Sequence, residues 1–112
     1  LLTPKTAVEI VMDGAMSNDK QRASRLLSGS FDLTNAEALQ AKAEQAKGSV
    51  DSYQIVDVSI SEDGQSAVVY VDVTQTMKDG QSQKLYNQAI SVKRDTGIWK
   101  VEVESIEPIL FP

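Results

Sequence analysis

The side chains able to do acid–base work in this chain are few. Asp57 and Asp72 could act as general bases, and Tyr53, Tyr70 and Tyr86 could donate a hydrogen bond to a developing oxyanion. The 112 residues include no histidine and no cysteine. That removes imidazole bases, thiolate nucleophiles, disulfides and zinc sites of the usual kind. A carboxylate paired with a phenol is the one acid–base device left, and it works only if both groups point into the same pocket.

Metal and phosphate chemistry have weaker footing. Asp63 and Asp79 stand in Asp-Gly pairs, where the carboxylate serves the turn itself. Neither turn has the alternating acids and closing glutamate of a calcium loop. The six glycines stand apart, so no phosphate-cradling run exists. No catalytic residue, metal ligand or cofactor is assigned.

Net charge is −5, and it is local. Residues 1–50 balance six basic against six acidic side chains, whereas residues 51–112 hold five basic and ten acidic. A nucleic-acid partner needs a cationic footprint, which is missing. Binding of a membrane surface through basic residues is disfavoured on the same ground. No run of about 20 apolar residues exists to span a bilayer. The chain opens at Leu1 rather than methionine, as expected of a mature or trimmed fragment.

The elements that would position these groups are legible from periodicity. The length and the 41% hydrophobic content suit one domain, 1–112. Helices are predicted over about 4–16, 20–28 and 35–47. Thr3-Pro4 opens the first, with Val8, Val11, Met12 and Ala15 as its apolar stripe. Thr34-Asn35-Ala36-Glu37 has capping-box spacing for the third, and Gly48 is expected to cap its end in a left-handed conformation. That helix carries an alanine stripe, so it should pack closely but weakly, as suits an element that rims a pocket.

The period then changes to two. Strands are predicted over about 51–61, 65–77, 83–94 and 98–106, joined at Asp63-Gly64, Asp79-Gly80 and Asp95-Thr96-Gly97. The fold class is α+β: three helices on one face of a curled four-stranded antiparallel meander, forming a cone.

Alternation then assigns faces. With Val56, Val58, Val71 and Val73 facing the helices, Asp57, Asp72, Tyr53 and Tyr70 point away from the core. Only Tyr86 and Trp99 then face the cone interior, with no carboxylate in register. Ile55, Val68, Tyr70, Leu85 and Ile98 gather on the outer sheet face as a candidate surface for a protein partner or self-association. Pro108 should end the fourth strand, leaving Ile109, Leu110 and Phe111 to close the cone's open end. A cavity of about 300 Å³ or more would favour ligand binding over a filled core.

Four segments carry a family likeness: Thr3-Pro4-Lys5-Thr6-Ala7-Val8, Asp19-Lys20-Gln21-Arg22-Ala23, Tyr53-Gln54-Ile55-Val56-Asp57-Val58 and Gly97-Ile98-Trp99-Lys100-Val101. In them the chain resembles the nuclear-transport-factor-2-like (cystatin-like) superfamily, and within it the small bacterial extracytoplasmic domains, many of them lipoproteins of unknown function. A second branch, the scaffold subunit of type IV secretion or conjugation channels, has the same element order. The resemblance implies a non-enzymatic extracytoplasmic domain that works by protein contact or weak ligand binding, held at a membrane only through an anchor outside this chain. The alternatives are a secretion scaffold and an isomerase-like enzyme that uses the cone interior.

Overall fold

A computed structural model describes residues 2–17, 19–28 and 36–112. The element order is α1 (Pro4–Met16), α2 (Lys20–Ser24), β1 (Leu27–Ser28), α3 (Ala36–Gln45), β2 (Gly48–Ile60), β3 (Ser66–Met77), β4 (Ser82–Asp95), β5 (Ile98–Glu102) and α4 (Val103–Leu110). The expected cap at Thr34-Asn35 lies outside the described residues.

α1 starts as its sequence dictates. Thr3 Oγ1 accepts from the Thr6 amide at 3.2 Å while Thr6 Oγ1 accepts from the Thr3 amide at 2.7 Å, a reciprocal cap ahead of Pro4. Its inward stripe, Ala7, Val8, Val11 and Met12, is fully buried. Gly14 lets α2 come close, because a β-carbon there would lie 2.7 Å from Ala23 Cβ.

The sheet has five strands in the order β1-β5-β4-β3-β2 and is mixed. The three expected hairpins form, and Gly64, Gly80 and Gly97 adopt φ of 69°, 89° and 83° at their turns. Asp63 and Asp79 accept from the Gln65 and Gln81 amides at 3.0 and 2.9 Å, so both carboxylates serve their turns. One face of the sheet, through Ala67, Val69, Val71, Val73, Ile90, Val92, Trp99 and Val101, joins the helices in a single core.

Four expectations about the elements are corrected. α2 stops at Ser24, and Leu27–Ser28 pairs in parallel with Val101–Glu102, which makes the sheet five-stranded. Gly48 does not cap α3: it begins β2, where a β-carbon would lie 2.7 Å from the Thr76 carbonyl oxygen. The last strand ends at Glu102 rather than 106. Beyond it Val103, Ile106, Ile109 and Leu110 recur at helical spacing, and all four are buried as α4. Pro108 sits exposed inside that helix and forfeits one backbone bond, an effect that burial of its neighbours outweighs.

The face assignment fails at two β-bulges. In β2 the register skips Val56, between Ile55↔Val71 and Asp57↔Tyr70. A bulge flips the alternation of everything before it. Tyr53 and Ile55 therefore pack against the core, opposite Val73 and Val71, and Val56 is left exposed. In β4 the register skips between Leu85↔Val73 and Gln88↔Val71, with Asn87 at φ 52°. Leu85 thus lies on the core face and Tyr86 is 61% exposed, the reverse of the expectation for both.

Candidate ligand-binding site at the cone mouth

The wide end of the cone is closed by two helices of different character. α4 is anchored: Ile106, Ile109 and Leu110 enter the core, and the fully buried Gln75 donates from Nε2 to the Ile109 carbonyl at 2.8 Å. Gln83 Nε2 in turn donates to Gln75 Oε1 at 2.6 Å, so both ends of the buried amide are satisfied. α3 puts Leu39 into the core, and the rest of its described inward face is alanine.

Between them lies a cavity of about 130 Å³, partly open to solvent, which falls short of the roughly 300 Å³ expected of a full ligand pocket and leaves room only for a small guest. Ala15 and Met16 of α1, Leu39 and Ala43 of α3, Leu110 and Phe111 at the C-terminus, and Gly48, Ser49 and Val50 of β2 form its walls. Among the described residues, no lining side chain is ionisable and the Ser49 hydroxyl is the one polar side chain in the wall. An apolar hollow of about 150 Å³ takes a benzene-sized guest, so this one suits a single ring or a short branched chain. The larger spaces, of about 490 and 310 Å³, are open surface grooves beside α1–α2 and outside the α3–α4 seam.

The expected chemistry is dispersed. Trp99 is buried, with the Arg94 guanidinium 4.9 Å from the ring centroid. Tyr86 lies outside the core with the Lys84 ammonium 5.3 Å from its ring. Asp57 pairs across from Tyr70, and Asp72 accepts from the Asn87 amide at 2.9 Å. Among the described residues, the buried polar side chains are Ser24 and Gln75, and no group of three or more acidic residues could hold a metal ion. No described helix is long and apolar enough to cross a membrane.

One phenol–carboxylate pair exists, and sequence reasoning missed it because of the bulge at Val56. Tyr53 reaches α1 and donates to Asp13 Oδ1 at 2.7 Å. Burial, that hydrogen bond and the charges of Asp13 and Glu9 hold the phenol well above the usual tyrosine range. Its proton is committed to Asp13, which lines the open α1–α2 groove rather than the cavity. Unfolded tyrosine ionises near 10.0 and the folded phenol higher, so its stabilising contribution is complete below pH 10 and is lost as pH rises above it. Thermal melts across the alkaline range should show the parent protein losing stability more steeply than Tyr53→Phe. Parallel curves would remove this assignment.

The cavity residues carried little advance signal beyond the alanine stripe of α3 and the apolar tail, because the hollow is made by four separate elements. No protein-family model matches the chain, and no curated protein matches it. Solved structures do. Delta 5-3-ketosteroid isomerase from Mycobacterium sp. aligns at a TM-score of 0.62 with 13% identity, covering 90% of this chain and 92% of that one. The shared fold is α+β, one mixed five-stranded sheet with its helices, an architecture consistent with the expected nuclear-transport-factor-2-like cone. A variant of Rv3472, a protein of unknown function from Mycobacterium tuberculosis, aligns on the cone at a TM-score of 0.53 with 15% identity, over 87% of this chain and 64% of that one. At these identities the likeness concerns the cone's architecture and carries no residue role.

Proposed function

We propose that this cone is a non-enzymatic binding domain that takes a small apolar ligand at its mouth. One observation carries the reading: among the described residues, the side chains lining the cavity between α3, α4 and β2 are apolar except for Ser49, and none is ionisable. Such a wall can desolvate and hold an uncharged group; its described side chains offer no base, and the Ser49 hydroxyl is their hydrogen-bond donor. The similarity in fold to an isomerase supports a cone able to house a ligand, while the phenol–carboxylate pair at Tyr53 and Asp13 lies on a different groove. Ala43→Phe should fill the hollow while the domain stays folded. Toluene titrated into labelled parent protein is expected to shift the amides of Leu39, Val50 and Leu110, and to leave those of Ala43→Phe unmoved. Equal responses in both would sink the reading.

A second reading is protein contact through the outer sheet face. Val68 and Tyr70 lie there half-buried, Tyr86 joins them at 61% exposure, and Ile98 is exposed near the far end of the face. The paired substitution Val68→Asp with Tyr70→Asp is expected to abolish self-association or partner capture measured by sedimentation and pull-down. An unchanged profile removes this role. We also propose an exported, anchored parent protein, on the strength of the resemblance in the opening helix and the Gly97-Ile98-Trp99-Lys100-Val101 strand; cell fractionation tests it.

A further inference from the structure

The seam between α3 and α4 is hollow on both sides. The apolar cavity lies within, and a groove lined by Lys42, Gln45, Ala46, Lys47, Glu107 and Phe111 lies outside. Bridging the seam, Lys42 Nζ donates to Glu107 Oε1 at 2.7 Å, with the two side chains 35% and 21% exposed.

The two helices differ in how they are fixed. α4 is tied into the core and to Gln75. α3 is secured at its C-terminal end, where the Lys47 amide donates to the Pro112 carbonyl at 2.8 Å, the Lys78 amide to the Lys47 carbonyl at 2.7 Å, and Lys78 Nζ to the Glu44 carbonyl at 3.0 Å. Leu39 is the large apolar side chain it buries, whereas α1 buries Val8, Val11 and Met12. An element with little buried apolar surface opens at lower free energy than the core.

We infer that α3 is a lid that pivots about its tethered end at Lys47, that the Lys42–Glu107 ion pair is its latch, and that the guest it admits is a neutral, ring-sized apolar group. This rests on the reading of the cavity as a ligand site. Neutrality follows from walls that offer no counter-charge, since an unpaired charge is strongly disfavoured away from water. A latch made of a partly exposed ion pair weakens as salt screens it.

The test uses the full labelled chain, with toluene, benzoate and benzylamine as probes, and Glu107→Gln as the unlatched variant. Without any probe, α3 amides from Leu39 to Ala43 should exchange with deuterium faster than α1 amides, and about threefold faster still in the variant while α1 is unchanged. Toluene exchange rates measured by NMR should rise about threefold in the variant. The parent should approach that rate at about 1 M salt. Benzoate and benzylamine should leave the cavity amides unmoved. Exchange of α3 only together with α1, unchanged toluene rates, or a charged probe binding as well as toluene each overturns the inference. If toluene moves no cavity amide in the parent, the ligand site itself falls, and the hydrogen exchange still decides the lid.

Discussion

A chain ending at Glu102 is expected not to fold cooperatively. α4 buries Val103, Ile106, Ile109 and Leu110, and each such side chain stabilises the folded state by about 1.5–3 kcal/mol. Together they supply roughly 6–12 kcal/mol by area bookkeeping, an upper bound because unfolded chains are already partly collapsed. A domain of this size has about 5–15 kcal/mol in total. Truncation would also uncover core residues of β4 and β5, against which α4 packs. The measurement is a circular dichroism melt, in which the truncated chain should lack a sigmoidal transition. Deleting 108–112 is milder: it removes Ile109 and Leu110 and the acceptors of Gln75 and the Lys47 amide. It should lower the melting temperature by about 10 °C or more. A shift of only a degree or two would mean that α4 is an appendage rather than a wall of the cone.

Gly48→Val is expected to be the most damaging single substitution at the ligand site. A β-carbon there would lie 2.7 Å from the Thr76 carbonyl oxygen, 2.8 Å from Met77 Sδ and 3.0 Å from Met77 Cα. The sulfur can swing away, but the two backbone atoms belong to the β2–β3 ladder and cannot. Relief therefore requires the first residues of β2 to separate from β3, where Gly48 pairs with Met77 and Ser49 with Thr76. Overpacking of this kind costs about 1–3 kcal/mol, and contact with backbone favours the upper end. Because Gly48, Ser49 and Val50 form the floor of the cavity, binding should weaken beyond what the loss of stability alone explains. Denaturant melts and a toluene titration at a temperature where the variant is fully folded separate the two effects. Parent-like stability would show that β2 yields there without strain.

The layers of the fold were legible because they rest on local rules. The Thr3-Pro4 start, the stripe at Val8, Val11 and Met12, and three Asp-Gly or Thr-Gly turns each depend on a few neighbouring residues, and each produced its element. The failures have a common cause in registers that local pattern does not specify. A bulge at Val56 and another near Asn87 each shift the alternation by one residue, exchanging the places of Ile55 and Val56 and of Leu85 and Tyr86. A single-strand pattern contains no mark of a bulge, because the extra residue is defined against the partner strand. The tail was misassigned in another way. The apolar positions Val101 and Val103 continue the period of two, so the turn into a helix shows only through Ile106, Ile109 and Leu110. The candidate site was the least legible part, since Ala15, Leu39, Val50 and Phe111 acquire a shared meaning only once four elements have met.

The short parallel pairing of Leu27–Ser28 with Val101–Glu102 joins residues more than half the chain apart. Together with the packing of α1 on β5, it ties the last strand to the N-terminal helices. Closing such distant contacts is entropically slow. During synthesis the N-terminal helices therefore emerge without the strands that bury them, and the core cannot complete itself until β5 and α4 have left the ribosome. This topology makes folding a late and concerted event, with a long window in which the unfinished chain is open to a chaperone.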